Sequence, residues 1–291
     1  MNVQFKYKRF IFKKQIFLTL LTMVSVILST YNQPRWLELV LYGYIYQTVK
    51  DFELIIADDG SDQRTRTVIE KMREKVAFPL KHTYHEDKGF RKCVILNKAI
   101  LESSGDYLVF SDGDIIPRWD FIQVHLHMRR TGSFLSGGTV RLPAGLSHMI
   151  SDKEIAEGVC FDRKWLEAGG LKRSFKNNKL NASGCKAQLL NRFTPTGATW
   201  NGGNASAWKN DILQVRGFDQ RLRYGGEDRE FGERLERLGI RGRQIRYSAV
   251  TLHLDHPRDY IHHSSWEFNR KVRRENRRNK IIETEYGLII D

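Results

Sequence analysis

The 291-residue chain has little cysteine: Cys93, Cys160 and Cys185 stand far apart, odd in number and without a CxxC pair. That excludes a disulfide framework and a zinc ribbon, and it fits a reducing compartment such as the cytoplasm. In that setting the "NAS" sequons at Asn181 and Asn204 are chance matches. No apolar run reaches the roughly 20 residues that cross a bilayer. The nearest approach is "QIFLTLLTMVSVILSTYN" (15–32), with an apolar core of about 13 residues and no small-residue cleavage site. Three catalytic signatures are also missing. Without GxxxxGK[ST], P-loop phosphate chemistry is excluded. Without GxGxxG after the first strand, a dinucleotide dehydrogenase is disfavoured, and without GxSxG so is a serine hydrolase. There is no internal repeat or low-complexity tract.

What is present describes a globular α/β protein. Hydrophobic residues make up 41% of the chain, enough at this length to bury a sizeable core. Most of the net charge of +14 sits at the two ends. Residues 1–14 carry five basic residues and no acid, and "RKVRRENRRNK" (270–280) carries seven against Glu275 alone. A near-neutral body with basic ends suits peripheral contact with an anionic membrane better than a nucleic-acid interface, although two solvated tails explain the charge equally well.

Four buried strands are expected at 23–29, 52–58, 80–85 and 107–112. Helical patterns at 35–47, 64–75 and 91–103 separate them. This alternation implies right-handed crossovers and a mostly parallel sheet flanked by helices, a single Rossmann-like domain. A helix at 118–130 and a strand at 133–142 are expected next. Residues 145–195 are polar and irregular and read as a variable insertion or helical lobe. A basic helix near 264–282 closes the chain. Four segments follow: an amphipathic extension (1–22), two halves of one domain (23–142 and 143–262), which the resemblance described below would make the nucleotide-sugar-binding half and the acceptor-binding and catalytic half, and a basic helix (263–291).

Polar residues gather where the strands end. Ser29-Thr30-Tyr31-Asn32, Asp58-Asp59-Gly60-Ser61, Glu86-Asp87-Lys88-Gly89 and Asp112-Gly113-Asp114 each follow a strand. Ligands bind outside the carboxyl ends of such sheets. One acidic turn is ordinary; four on one edge describe a site. A glycine between two aspartates lets the backbone turn both carboxylates towards one point, and hard cations such as Mg²⁺ or Mn²⁺ take such oxygen ligands. In "YGGEDREFGERLERLG" (224–239), acids at a helix start gain from the macrodipole, yet the paired glycines also suit close approach of a substrate beside a general base. His253 and His256 follow a strand candidate, and either could complete a metal site begun by Asp114. His262 and His263 read as solvated. Gly202-Gly203-Asn204 is a close backbone approach to a ligand or a hairpin turn.

Together these stretches resemble the inverting glycosyltransferases of family 2, with the GT-A fold. "VSVILSTYNQ", "LIIADDGSDQRT", "HEDKGFRKCVILNKAI" and "YLVFSDGDIIP" carry the match over 23–142. "WNGGNASAWKND", "RGFDQ" and "YGGEDREFGERL" resemble the galactosyltransferase-type module of bacterial chondroitin-polymerase-like enzymes over 199–257. The resemblance implies a UDP-sugar donor, a Mn²⁺ or Mg²⁺ cofactor, and a saccharide or lipid-linked acceptor. It implies that Thr30, Asp58 and Asp59 contact uridine, with Arg91 near the nucleotide and Gly202 and Gly203 near the sugar nucleotide. Asp112 would touch ribose or metal, and Asp114 would be the main metal ligand, joined by His253 or His256. Asp228 would be the base, with Glu227 on sugar hydroxyls. The expected setting is surface polysaccharide or lipopolysaccharide synthesis at the cytoplasmic face of the membrane, without nucleic acid. Two rivals remain: a basic nucleic-acid- or membrane-binding protein on a vestigial transferase fold, and a nucleotidyltransferase. "STYNQPRW" lacks the Gly-rich, Arg-containing loop expected of the latter.

Overall fold

Strand β1 (Val24–Thr30) is buried at every position, which is why its sequence is apolar without alternation. In the computed structural model, which describes residues 23–257 and 263–289, β1 lies between two parallel neighbours. These are β2 (Glu53–Asp58) and β4 (Tyr107–Asp112), and β3 (Leu80–Tyr84) extends the sheet beyond β2. Three helices make the crossovers: α1 (Pro34–Ile45), α2 (Gln63–Arg73) and α3 (Lys92–Glu102). Pro34 opens α1, where its missing N–H costs nothing. The Asp62 carboxylate caps α2 by accepting the N–H groups of Arg64 and Thr65. Successive strand residues face opposite sides. Val24, Val26 and Leu28 therefore join the core under α1 and α2, while Ile27, Leu108 and Phe110 join a second core with Cys93, Leu96 and Ile100 of α3. Each fully buried Leu or Ile contributes about 1.5–3 kcal/mol, so the sheet is held firmly on both faces.

Past β4 the chain forms β5 (Ile115–Pro117) and α4 (Phe121–Met128). The single strand expected at 133–142 is instead two, β6 (Ser133–Ser136) and β7 (Gly138–Arg141), which belong to different sheets. The break falls at Gly137, where a Cβ would stand 1.8 Å from the Asn204 side chain. β6 lies in the large sheet between β8 (Ala205–Trp208) and β9 (Arg241–Gln244), while β7 pairs with β10 (Val250–His253). The large sheet runs β3-β2-β1-β4-β8-β6-β9, with β8 alone reversed. The small sheet runs β5-β10-β7. Asn204 ties the two together: its side-chain amide donates to the carbonyls of Gly138 and Ala249. Being fully buried, it is not a folded-state glycosylation acceptor.

The irregular region is a lobe of short helices within residues 144–192, the longest being Gly184–Arg192. Helix α5 (Glu227–Arg237) follows β8, and the basic helix α6 (His263–Arg278) packs on it, ending earlier than 282. Arg273 pairs with Glu233 at 2.5 Å and Asn276 donates to Glu230 at 2.8 Å. Among the described residues no helix is long and apolar enough to cross a membrane. The extension at 1–22 and His262 lie outside the described residues.

Candidate active site

The carboxyl ends of β1 and β4 open into a cleft of about 1350 Å³. Thr30, Tyr31, Asn32 and Asp59 line one part of it. The Thr30 hydroxyl is buried and has no hydrogen-bond partner. Gly113 passes close above it: its N–H donates to the Ser29 carbonyl at 2.7 Å, and a Cβ there would stand 2.8 Å from Thr30 Oγ1. The glycine of "DGD" is thus required by close packing against β1. Asp58 is fully buried below the cleft, accepting from the Ser61 N–H at 2.8 Å and meeting His82 at 2.9 Å. Burial raises the affinity of that carboxyl for protons, but the bonds from His82 and Ser61 outweigh it and hold the pKa below normal. Asp59 meets His85 at 2.7 Å and accepts the Arg91 N–H at 2.9 Å; burial pushes its carboxyl up. Arg91 therefore touches the site through its main chain, and its side chain is not part of the cleft wall.

The two "DGD" carboxylates have different partners. Asp112 Oδ1 accepts from Lys92 Nζ at 2.6 Å and from Ser29 Oγ at 2.5 Å. Burial alone would lower the Lys92 ammonium, but the charges of Asp112, Asp228 and Glu227 outweigh it and hold it well above the ordinary lysine range. Asp114 Oδ2 lies 2.7 Å from His256 Nε2 and 3.8 Å from His253 Nε2. These three residues place one ligand atom each within 4.8 Å of one another. The two imidazoles stack with centroids 5.6 Å apart. The His256 Nδ1–H donates to the Pro257 carbonyl at 2.7 Å, which orients Nε2 towards Asp114. Asp114 Oδ1 is buried without a hydrogen-bond partner. One carboxylate, two imidazoles and an unsatisfied oxygen suit a divalent cation such as Mn²⁺.

Helix α5 brings the second acidic pair. Asp228 Oδ2 accepts the Gly202 N–H at 3.1 Å, and its Oδ1 is buried with no partner. A Cβ on Gly202 would meet that carboxylate at 2.7 Å, and one on Gly203 would lie 3.0 Å from Asp112 Oδ2. Both glycines are therefore contact surfaces for the acids, and Gly203 also lines the cleft. Burial raises the Asp228 carboxyl, and Lys92 partly restrains it. Burial and then the charge of Asp228 push Glu227 up to about 7. The Glu227 carboxylate accepts the Gly225 N–H at 2.8 Å. The glycine pair has a backbone cause: Gly225 and Gly226 take φ of 111° and 103°. A Cβ on Gly225 would also strike the Trp266 ring at 2.6 Å.

Two family models match the chain: Glycosyl transferase family 2 over residues 25–135, and the N-terminal domain of galactosyltransferase over residues 189–257. Over the first of these stretches the chain is similar to the glycosyltransferases of family 2. The chondroitin synthase of Escherichia coli is 25% identical over 254 residues, covering 80% of this chain and 35% of that protein. The chondroitin synthase of Pasteurella multocida is 25% identical over 225 residues, covering 73% and 23%. The chain thus spans about a third or less of these relatives' length. Among solved structures, a mannosyltransferase from Pyrobaculum calidifontis in complex with GDP-Man and Mn²⁺ superposes with a TM-score of 0.57 at 17% identity, over 91% of this chain and 66% of that one. The glucosyl-3-phosphoglycerate synthase of Mycobacterium tuberculosis, in complex with Mg²⁺ and uridine-diphosphate, gives 0.55 at 16% identity, over 90% and 82%. These likenesses identify the fold as GT-A.

Neither family model reaches residues 136–188, which include most of the helical lobe. The cleft gathers Thr30, Asp59, Asp112, Asp114, Gly203, Glu227, Asp228, His253 and His256. Asp58, Arg91 and Gly202 stand behind that wall and bond to it or to its supports. Sequence reasoning passed over Lys92, which is central to the charge balance. A signal for it existed: a lysine as the first residue of a helix opposes the positive end of the macrodipole and needs a compensating anion.

Proposed function

We propose that the chain is a metal-dependent, inverting glycosyltransferase that moves a sugar from a UDP-sugar to a hydroxyl of a saccharide or lipid-linked saccharide. One observation carries the reading: a buried, unpartnered Asp228 oxygen shares a single cleft with the Asp114–His253–His256 group and the Thr30–Asp59 end. Thr30 and Asp59 would hold the nucleotide, with Asp58 and Arg91 fixing Asp59 and its turn. Asp114, His253 and His256, with Asp112 beside them, would hold Mn²⁺ or Mg²⁺. The bound cation supplies charge neutralisation on the diphosphate leaving group. Asp228 Oδ1 takes the proton of the acceptor hydroxyl as that oxygen bonds to the sugar C1 and the C1–phosphate oxygen bond breaks. Attack from the face opposite the leaving UDP inverts the anomeric centre. A carboxylate raised by burial is a stronger base at neutral pH than an exposed one. Lys92 holds Asp112 and limits how far Asp228 is raised. Glu227 would bind sugar hydroxyls.

Surface polysaccharide or lipopolysaccharide assembly is the setting we favour, supported by two relatives that are named chondroitin synthases. The exposed Arg270, Lys271, Arg274 and Arg278 of α6 would meet an anionic cytoplasmic membrane face, and no nucleic acid is needed. The test is calorimetric titration of UDP with and without Mn²⁺. Wild-type protein is expected to bind UDP tightly only with the metal, and Asp114→Ala to lose that metal-dependent gain. Equal binding with and without Mn²⁺ in the wild type would remove the metal from this reading.

A further inference from the structure

A separate stretch of the cleft wall is basic. Arg141 on β7, Lys176 and Lys179 on the helical lobe, and Arg246 ahead of β10 all line it. Among the described residues, none of the four pairs with a carboxylate. Lys179 Nζ donates to the Thr139 carbonyl at 2.6 Å, and Arg246 Nε donates to Gln244 Oε1 at 3.0 Å. The remaining N–H groups of both side chains are left for other partners. Burial, then the charges of Arg246 and Lys176, push the Lys179 ammonium down to about 8, which reports how closely these cations crowd.

The position of this group is as informative as its charge. Arg141 stands in register opposite His253 across the β7–β10 pair, so the basic wall begins one strand from the Asp114–His253–His256 group. Thr30 and Asp59, at the ends of β1 and β2, belong to the other sheet. On the reading above, the diphosphate of a donor would be met by the cation held at Asp114, His253 and His256. Four cations beyond it remain without counter-charge. Neutral hydroxyls would leave that repulsion in place, whereas one carboxylate or phosphate would relieve it through charge-assisted bonds.

We infer that this basic wall binds an anionic group on the acceptor, a uronic-acid carboxylate or a phosphate, and so selects acidic acceptors over neutral ones. The inference rests on the donor–acceptor reading of the cleft given above; Arg141, Lys176 and Lys179 lie in the stretch that neither family model reaches, and Arg246 lies within the second match.

The test uses the full chain with three probes: cellobiose, cellobiouronic acid and cellobiose 6′-phosphate. Binding is followed by calorimetry with UDP and Mn²⁺ present, and UDP itself is titrated separately. At least one acidic probe is expected to bind about tenfold or more tightly than cellobiose, the worth of one good charged contact. The tighter of the two acids identifies carboxylate or phosphate. Lys176 is exposed and Arg246 half-buried, so Lys176→Gln and Arg246→Gln are mild changes. Each is expected to reduce the acid preference several-fold and leave UDP affinity unchanged. Equal binding of all three probes would overturn the inference, as would variants that weaken UDP in step with the acids, since the wall would then serve the donor. Acid preference in a wild-type protein that does not bind UDP would support the anion site and sink the donor reading alone.

Discussion

Replacing Glu227 with glutamine should make the protein more stable above neutral pH. The side chain is only 7% exposed, and its folded-state pKa is raised from 4.5 to about 7. A carboxyl raised in this way favours the folded state while protonated, so its contribution is complete below about pH 4.5 and is lost as pH climbs through 7. At about 1.4 kcal/mol per pKa unit, the shift corresponds to roughly 3 kcal/mol. Glutamine mimics the protonated acid and keeps an oxygen for the Gly225 N–H. Glu227→Gln should therefore match wild type near pH 4.5 and exceed it by about 3 kcal/mol at pH 8. Urea unfolding of both proteins across that range measures the difference directly. Asp59 titrates in both and cancels, whereas the repulsion between Glu227 and Asp228 is removed only in the variant and is part of the expected difference. A stability difference that stays flat with pH would refute the reasoning, because it would mean that Glu227 is ionised in the fold at little cost.

Two further substitutions probe the same charge cluster. Asp228→Asn should lower turnover by about 10²–10⁴-fold while UDP affinity is kept, and near-normal turnover would remove Asp228 as base. Lys92→Met leaves Asp112, Asp228 and Glu227 without their shared cation and should cost about 3–5 kcal/mol at pH 8. That loss should shrink at pH 5.5 as Glu227 and Asp228, both raised by burial, take up protons; an equal loss at both values in urea unfolding would point to packing instead.

The sheet was legible in the sequence where strands are buried on both faces. β1, β2 and β4 read as unbroken apolar runs because neither face meets water, and their polar ends marked the cleft. The tertiary pairings were not legible. β8 enters the large sheet reversed, between β4 and β6, through contacts made far along the chain, and β9 is a polar four-residue strand with no alternation to read. The split at Gly137 depends on Asn204, another distant partner. His253 and His256 stood as rivals for one role because spacing alone does not orient side chains after a strand; in the fold both reach Asp114. Lys92 was hidden beside Arg91, since sequence shows neighbouring cations but not which one turns inward.

The lobe leaves the fold after β7 and returns before β8, so it is a single excursion. Its point of departure, Arg141, lies across from His253, and its Lys179 is tied back to the Thr139 carbonyl on β7. Asp114, His253 and His256 lie outside the lobe and are positioned by β5, β10 and the turns beside them. The lobe is nonetheless no detachable cassette: Leu146, Ile155 and Leu166 lie in the same core as β1 and β10, and Ser147 Oγ accepts the Asp255 N–H beside His256, so a change in the lobe reaches the residues proposed to hold the metal as well as the wall of the cleft.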